Sequence, residues 1–125
     1  MKKRILMVDD EELLTKTFTR LLEKNAYEVY SIKNGHDAAT MVEEESFDLI
    51  ICDIRMPGLN GVETIRRINE ILEKKDQRPL PVVFITGYAD QKLELEAKKL
   101  HPIAYLHKPF DSSELLSVIN GVIGR

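Results

Sequence analysis

Five short apolar runs divide the chain, and each gives way to polar or turn-forming residues. Four are continuous and contain β-branched or aromatic residues: 5–8, 49–52, 82–85 and 103–106. Continuous runs of this length are typical of strands buried on both faces of a parallel sheet. The fifth run, 27–32, is interrupted by Glu28 and Ser31, which predicts a strand at the edge of the sheet.

Between these runs, apolar residues recur at helical spacing. The first stripe, Leu14, Phe18, Leu21 and Leu22, follows the i, i+4, i+7, i+8 pattern of one helix face. Four more stripes follow: Ala38, Met41 and Val42; Val62, Ile65, Ile68 and Leu72; Leu93, Ala97 and Leu100; and Leu115, Leu116, Ile119 and Ile123. Asp111 is predicted to be the N-cap of the fifth helix, with Glu114 completing a capping box.

Five strands that alternate with five helices predict an α/β fold, in which helices cover both faces of a parallel sheet. A length of 125 residues and a hydrophobic fraction of 43% suit a single domain over residues 1–125. The charged stretch 73–81, with Pro79 and Pro81, is expected to be a loop between the third helix and the fourth strand.

Composition narrows the classes of function. The net charge is −3 and no long run of one sign occurs, so no nucleic-acid partner is expected. No segment approaches the roughly 18 consecutive apolar residues of a membrane span, and no membrane partner is expected. The single cysteine, Cys52, lies inside an apolar run and is interpreted as a core residue of a cytoplasmic protein.

Polar side chains follow four of the predicted strands. They are Asp9 and Asp10 after the first, Asp53 after the third, Thr86 after the fourth and Lys108 after the fifth. The carboxyl ends of parallel strands share one edge of the sheet, where open α/β folds bind ligands. A single Asp after a strand is ordinarily a turn former, but this combination predicts a site.

The charges of this set indicate what the site binds. Two carboxylates about 4 Å apart repel by roughly 4 kcal/mol at an effective dielectric constant of 20, so three of them need compensation. Lys108 and one divalent cation would balance the charge, and oxygen ligands favour a hard ion such as Mg²⁺. The ammonium and the Thr86 hydroxyl could then hold a phosphoryl group, with one Asp as its nucleophile.

At these positions the sequence resembles the response-regulator receiver domains of two-component signalling, the type shared with the chemotaxis regulator. The resemblance covers essentially the whole chain and rests on the following residues: Asp9-Asp10, Asp53 with Met56-Pro57 and Gly61, Thr86, and Tyr105 before Lys108-Pro109-Phe110. It implies a flavodoxin-like (βα)5 fold with strand order 2-1-3-4-5, the fold for which that order is a standard example.

The resemblance also implies a reaction. Asp53 would accept a phosphoryl group from a sensor histidine kinase or a phosphotransfer protein, and Lys108 would neutralise the phosphoryl oxygens. Mg²⁺ (or Mn²⁺) would be bound by Asp10, Asp53 and the backbone carbonyl of Arg55, with Asp9 acting mainly through water. On this interpretation the chain is not an enzyme, beyond catalysing its own phosphotransfer and autodephosphorylation.

The same family pattern implies a conformational response. The Thr86 hydroxyl would swing toward the phosphoryl group and Tyr105 would rotate inward, while a cis bond between Lys108 and Pro109 would aim the ammonium into the site. The output surface would comprise the fourth helix, fifth strand and fifth helix, where Leu95 is expected to be exposed. The effector remains unknown.

Two further positions, Arg55 and Tyr88, flank the path by which water would reach an aspartyl phosphate in this fold. Neither has a carboxylate or amide that could orient that water, so both are interpreted as modulators that lengthen the phosphorylated state. The alternative is that both side chains simply extend into solvent.

Other classes of function fit these residues less well. A haloacid-dehalogenase-type phosphatase needs a second Asp two residues after the nucleophile, where this chain has Arg55. A flavodoxin needs a phosphate loop rich in Ser, Thr and Gly after the first strand, where this chain is acidic. A degenerate receiver, which acts as a protein-interaction module without phosphorylation, is the alternative within the fold.

Overall fold

One parallel sheet organises the chain in the computed structural model, which describes residues 1–124. The strands, in the spatial order β2-β1-β3-β4-β5, are β1 (Arg4–Val8), β2 (Glu28–Ile32), β3 (Leu49–Asp53), β4 (Val82–Thr86) and β5 (Ala104–His107). The helices are α1 (Glu12–Lys24), α2 (Gly35–Glu44), α3 (Gly61–Lys74), α4 (Gln91–Lys98) and α5 (Ser112–Ile123). The predicted fold and strand order are confirmed.

The alternation of side chains along each strand divides the core into two layers. Leu6 and Val8 of β1 face α2, α3 and α4, whereas Ile5 and Met7 face α1 and α5. All five residues of β3 are buried, as a central strand covered on both faces requires. Each large apolar side chain buried this way contributes roughly 1.5–3 kcal/mol, so the two layers fix the sheet firmly.

The strand boundaries differ slightly from the prediction. Asp53 and Thr86 are the last residues of β3 and β4 rather than the first residues beyond them. Strand β5 is displaced by one residue to Ala104–His107 because His107 pairs with Thr86 in the parallel ladder. The interrupted strand β2 does lie at an edge, as predicted.

Three helix ends differ from the prediction. Asp111 is at the N-cap of α5, but its side chain makes no capping hydrogen bond, so the predicted capping box is wrong. Helix α3 continues through Lys74, which shortens the expected loop at its amino end. Helix α4 ends at Lys98, and the predicted stripe residue Leu100 packs against the core from the turn beyond it.

The capping box is found instead at α3, directly behind the end of β3. The Asn60 side chain accepts a hydrogen bond from the Glu63 N–H, and the Glu63 carboxylate accepts one from the Asn60 N–H, both at 2.9 Å. Gly61 begins this helix so close to β3 that an added Cβ would lie 2.3 Å from the Asp53 carbonyl oxygen. The backbone that carries Asp53 is therefore fixed by the start of α3.

Among residues 1–124, no helix combines the length and the apolar character needed to cross a membrane.

Candidate functional site

Three carboxylates meet at the carboxyl edge of the sheet. Asp9 and Asp10 follow β1, and Asp53 ends the neighbouring strand β3. One oxygen from each of the three lies within 4.8 Å of the others. Asp9 and Asp53 are 1% and 4% exposed, whereas Asp10 is exposed. The site therefore has a buried acidic floor and one acid at its solvent rim.

The side chain of Lys108 reaches the same place from the loop after β5. Its Nζ lies 3.3 Å from an Asp9 oxygen and 3.5 Å from an Asp53 oxygen. The peptide bond between Lys108 and Pro109 is cis, as the family resemblance implied. The Lys108 ammonium also contacts Glu11, a residue that the sequence reasoning missed. The only signal for Glu11 was its position directly after the acidic pair.

These charges perturb one another. Burial, with the neighbouring Asp9 charge, raises the pKa of Asp53 from its ordinary 3.8 to about 7, although Lys108 opposes the shift. Burial likewise raises the pKa of Asp9, against the effect of the Glu11 N–H and Lys108. Burial disfavours the Lys108 ammonium, but the surrounding carboxylates, Glu11 first, outweigh this and raise its pKa. Burial therefore opposes the full ionisation of Asp9 and Asp53, and Lys108 offsets this only in part.

A divalent cation fits this donor set. The ligands on offer are carboxylate oxygens, which a hard ion such as Mg²⁺ prefers. Two ligands that are each about 2.1 Å from one ion lie at most roughly 4.2 Å apart, so the observed separations need only a small side-chain adjustment. An ion would also offset the Asp9 charge, which adds to burial in raising the pKa of Asp53.

The Thr86 hydroxyl forms its hydrogen bonds within the loop that follows β4. Thr86 is buried, its Oγ1 accepts a hydrogen bond of 3.2 Å from the Tyr88 N–H, and the same oxygen lies 3.3 Å from the Tyr88 carbonyl oxygen. The strand places Thr86 at the edge that carries the acids, since the Lys108 N–H donates to its carbonyl oxygen at 2.7 Å. To reach toward Asp53, the Thr86 hydroxyl would have to give up its hydrogen bonds to the Tyr88 backbone.

Tyr105 of β5 is half-buried and packs against the core layer that faces α2, α3 and α4. Its ring centroid is 6.3 Å from that of Phe84 and 5.3 Å from that of His107. Leu95 of α4 is 65% exposed, as predicted. An aromatic ring and an apolar side chain thus occupy the surface formed by α4 and β5.

Arg55 and Tyr88 are both exposed, and they contact each other rather than extending separately into solvent. The Arg55 guanidinium carbon lies 4.5 Å from the centroid of the Tyr88 ring, and Tyr88 is 58% exposed. Such a cation–π pair is worth about 0.5–1 kcal/mol at an exposed position. The pair bridges the loops that follow β3 and β4, beside the acidic site.

Cys52 is a core residue, as predicted. It is fully buried, and burial together with the nearby Asp53 and Asp9 raises the pKa of its thiol well above the ordinary value. A thiol that holds its proton so firmly is a poor nucleophile and a poor metal ligand.

The family model for the response regulator receiver domain matches residues 5–120. The chain belongs to this family. Receivers of this kind are signalling switches of two-component systems, and the sheet edge described above is the carboxyl edge of such a receiver.

Two relatives show how such receivers occur in longer and shorter proteins. PilH of Pseudomonas aeruginosa is 33% identical over 120 residues, which make up 96% of this chain and 97% of PilH. The probable transcriptional regulator ycf29 of Pyropia yezoensis is 35% identical over 127 residues. That match covers 100% of this chain and 55% of ycf29, so the chain spans about half the length of this relative.

Solved structures agree with the fold. A CheY-like response regulator receiver domain protein from Methanospirillum hungatei superposes with a TM-score of 0.87 at 26% identity, over 97% of this chain and 93% of that one. A response regulator from Burkholderia pseudomallei, whose structure has a phosphorylated aspartic acid, a calcium ion and citrate, superposes with a TM-score of 0.80. It is 26% identical and is matched over 94% of this chain and 66% of that chain.

The buried charge of Asp53 predicts how stability depends on pH in the absence of divalent ions. Since the pKa of Asp53 is about 7 when folded and 3.8 ordinarily, the unfolded chain loses this proton first. The contribution of Asp53 to stability therefore falls as the pH rises from about 4 to about 7 and stays low above that range. Asp53→Asn should raise the free energy of unfolding by about 1–3 kcal/mol at pH 8, and by less at pH 5.

Chemical denaturation in EDTA at the two pH values measures this difference. Asp76→Asn is the control, because Asp76 is exposed and has a positive φ of 57° that asparagine tolerates. Added Mg²⁺ should stabilise the original chain more at pH 8 than at pH 5. An equal gain for Asp53→Asn at both pH values would contradict the electrostatic explanation.

Proposed function

We propose that this receiver is a phosphorylation-activated switch whose phosphoryl acceptor is Asp53. The observation that carries the proposal is the placement of a buried Asp53 carboxylate with Asp9 and Asp10 oxygens within 4.8 Å and the Lys108 ammonium at 3.5 Å. A nucleophile, an acidic pair able to bind a cation and a fixed positive charge are what phosphoryl transfer to a carboxylate needs. The phosphoryl donor is a sensor histidine kinase or a phosphotransfer protein.

In this reaction an Asp53 oxygen attacks the phosphorus atom while the bond from phosphorus to the donor histidine nitrogen breaks. The nitrogen retains the bonding electron pair, and the product is an aspartyl phosphate. Asp53 must be ionised to attack, and Lys108 favours its ionised form. The ammonium can then contact an oxygen of the transferred group, because Lys108 donates from three N–H bonds.

The metal ion expected at this site is Mg²⁺ or Mn²⁺. Asp10, Asp53 and the backbone carbonyl of Arg55 would bind it, and Asp9 would contribute mainly through water. When bound, the ion supplies positive charge that offsets the acidic cluster and orients the oxygens of the incoming phosphoryl group. The likeness to the Burkholderia structure, which contains a calcium ion and a phosphorylated aspartic acid, supports this assignment.

The proposed switch couples the phosphoryl group to the surface formed by α4, β5 and α5. The Thr86 hydroxyl would leave the Tyr88 backbone for a phosphoryl oxygen, a charge-assisted partner that forms a stronger hydrogen bond. Its movement opens space behind it, and Tyr105 turns inward. The change would be read by an effector protein or domain whose identity the proposal leaves open.

Phosphorylation should occur on Asp53 and should require a divalent ion, since the uncompensated carboxylates otherwise repel a phosphate donor. Incubation with acetyl phosphate and Mg²⁺, followed by intact mass measurement and site mapping, should show one phosphoryl adduct. Asp53→Asn should abolish the adduct, Asp10→Asn should weaken Mg²⁺ binding at least ten-fold, about 1.4 kcal/mol, and Asp76→Asn should change neither.

An adduct that forms equally well in EDTA, or that persists in Asp53→Asn, would refute the assignment. A chain that binds Mg²⁺ but takes up no phosphoryl group from any donor would instead be a degenerate receiver that acts by protein interaction alone.

Thr86→Ala should separate the chemistry from the response. Phosphorylation of Asp53 should stay within about two-fold of the original rate, a change of about 0.4 kcal/mol, because Asp53 and Lys108 are intact. The amide chemical-shift changes of Tyr105 and α4 on phosphorylation should shrink markedly. Thr17→Ala removes an exposed hydroxyl from α1 and serves as the control. Shift changes in Thr86→Ala that match those of the original chain would disprove the coupling.

The lifetime of the aspartyl phosphate is proposed to depend on Arg55 and Tyr88. The Arg55 guanidinium is stacked on the Tyr88 ring. In the proposal this pair would cover the side of the site where water approaches, and neither group can act as a general base. Because the two side chains hold each other, the loss of either one weakens the cover. The phosphorylated state is therefore expected to be long-lived.

Replacing both residues, with Arg55→Asn and Tyr88→Glu, should accelerate autodephosphorylation about ten-fold if the barrier falls by about 1.4 kcal/mol. Loss of the phosphoryl group is followed by intact mass after removal of the donor, with each single replacement measured beside the double. Loss within seconds in the original chain, or an unchanged rate in the double variant, would show that the pair does not shield the site.

A further inference from the structure

Glu11 occupies the N-cap position of α1 without capping the helix. Its backbone is extended, with φ −83° and ψ 101°, and its side chain accepts no hydrogen bond from the first turn. Ser, Thr, Asp and Asn are preferred at this position because a short side chain can reach the free N–H groups. The Glu11 carboxylate extends instead to the Lys108 ammonium, across the edge of the acidic site.

The backbone of Glu11 is fixed by hydrogen bonds, while its side chain is exposed. Its N–H donates to an Asp9 oxygen at 2.9 Å, and its carbonyl oxygen accepts hydrogen bonds from the N–H and the hydroxyl of Thr15 at 3.0 and 2.9 Å. The side chain is 58% exposed, in contrast to the buried Asp9 and Asp53. Of the three carboxylates that contact Lys108, only this one can turn away without disturbing the sheet.

The contacts of Lys108 show where the ammonium is held in the resting chain. Glu11 is its nearest partner, while the Asp9 and Asp53 oxygens lie at 3.3 and 3.5 Å. Phosphorylation would change the charge at Asp53 from −1 to about −2, as for other phosphorylated side chains. Glu11 would then compete with the phosphoryl oxygens for the ammonium.

We propose that Glu11 is a positioning residue that holds Lys108 in its resting place and opposes the phosphorylated state until the ammonium is released. The proposal rests on the function proposed above for Asp53 and Lys108. It adds that the contact between Glu11 and Lys108 must break before the ammonium can stabilise the phosphorylated state. Lys108 is shared between a carboxylate that favours the resting chain and a phosphoryl group that favours the active one.

The test uses beryllofluoride, a tetrahedral mimic of a phosphoryl group, titrated in Mg²⁺ and followed by the amide signals of Thr86 and Gly87. Glu11→Gln keeps the shape of the side chain and removes its charge, and should tighten beryllofluoride binding about two- to five-fold, the range expected for an exposed ion pair. Glu12→Gln is the matched control. It removes the same charge from the adjacent exposed residue, whose carboxylate lies 4.0 Å from Lys16.

A second measurement reports on the ammonium itself. The ¹³Cε signal of Lys108 should shift in Glu11→Gln before any ligand is added and should be unchanged in Glu12→Gln. If Glu11 only stabilised the fold, Glu11→Gln would alter the unfolding transition but would neither tighten beryllofluoride binding nor shift the Lys108 signal.

The outcomes are distinct. Tighter binding in Glu11→Gln alone supports the proposal. Unchanged or weaker binding in Glu11→Gln, or an equal gain in both variants, overturns it. If the original chain binds no beryllofluoride in Mg²⁺, the function proposed for Asp53 fails, and the role of Glu11 fails with it.

Discussion

The structure depends on holding three carboxylates together against their repulsion. The sheet does this through its backbone: the Asp9 N–H donates to the Ile32 carbonyl oxygen at 3.0 Å, and Asp53 is paired with Ile85 in the ladder between β3 and β4. Separating the acids would break parallel pairing in the fully buried centre of the protein. The cost of this arrangement therefore appears in the ionisation of the acids: burial first, and the Asp9 charge second, raise the pKa of Asp53 to about 7.

A division between fixed and movable groups follows from that constraint. Asp53 is held from behind as well, because the capped start of α3 places Gly61 against its carbonyl oxygen. The groups around it are held less firmly: Arg55, Tyr88 and Glu11 are exposed, and the Thr86 hydroxyl makes only long hydrogen bonds to its own loop. A change of charge at the centre can therefore reorganise the surroundings without disturbing the acids themselves.

The fold and the acidic edge could be predicted because both depend on which residues follow one another along the chain. Continuous apolar runs specify buried parallel strands, and a polar residue at the end of each run must lie at one edge. Asp111 is the N-cap of α5 as predicted, but the predicted capping hydrogen bond is absent because an Asp at the right position can still turn its side chain elsewhere. The contact of Glu11 with Lys108 and the stacking of Arg55 on Tyr88 depend on side-chain directions in three dimensions, which no spacing pattern encodes.

The arrangement of Lys108 explains why a single covalent change can act as a signal in a domain of this size. Its ammonium is shared among Asp9, Asp53 and Glu11, and its preference for the nearest partner, the exposed Glu11, is small. In the proposed switch, the added phosphoryl charge has only to exceed that small preference, together with the long hydrogen bonds of Thr86. The core of the sheet contributes stability to both states equally and so cancels from the difference between them. Sensitivity to phosphorylation thus arises from weak, divided contacts around a rigid acid, and strengthening any one of them would bias the receiver toward a single state.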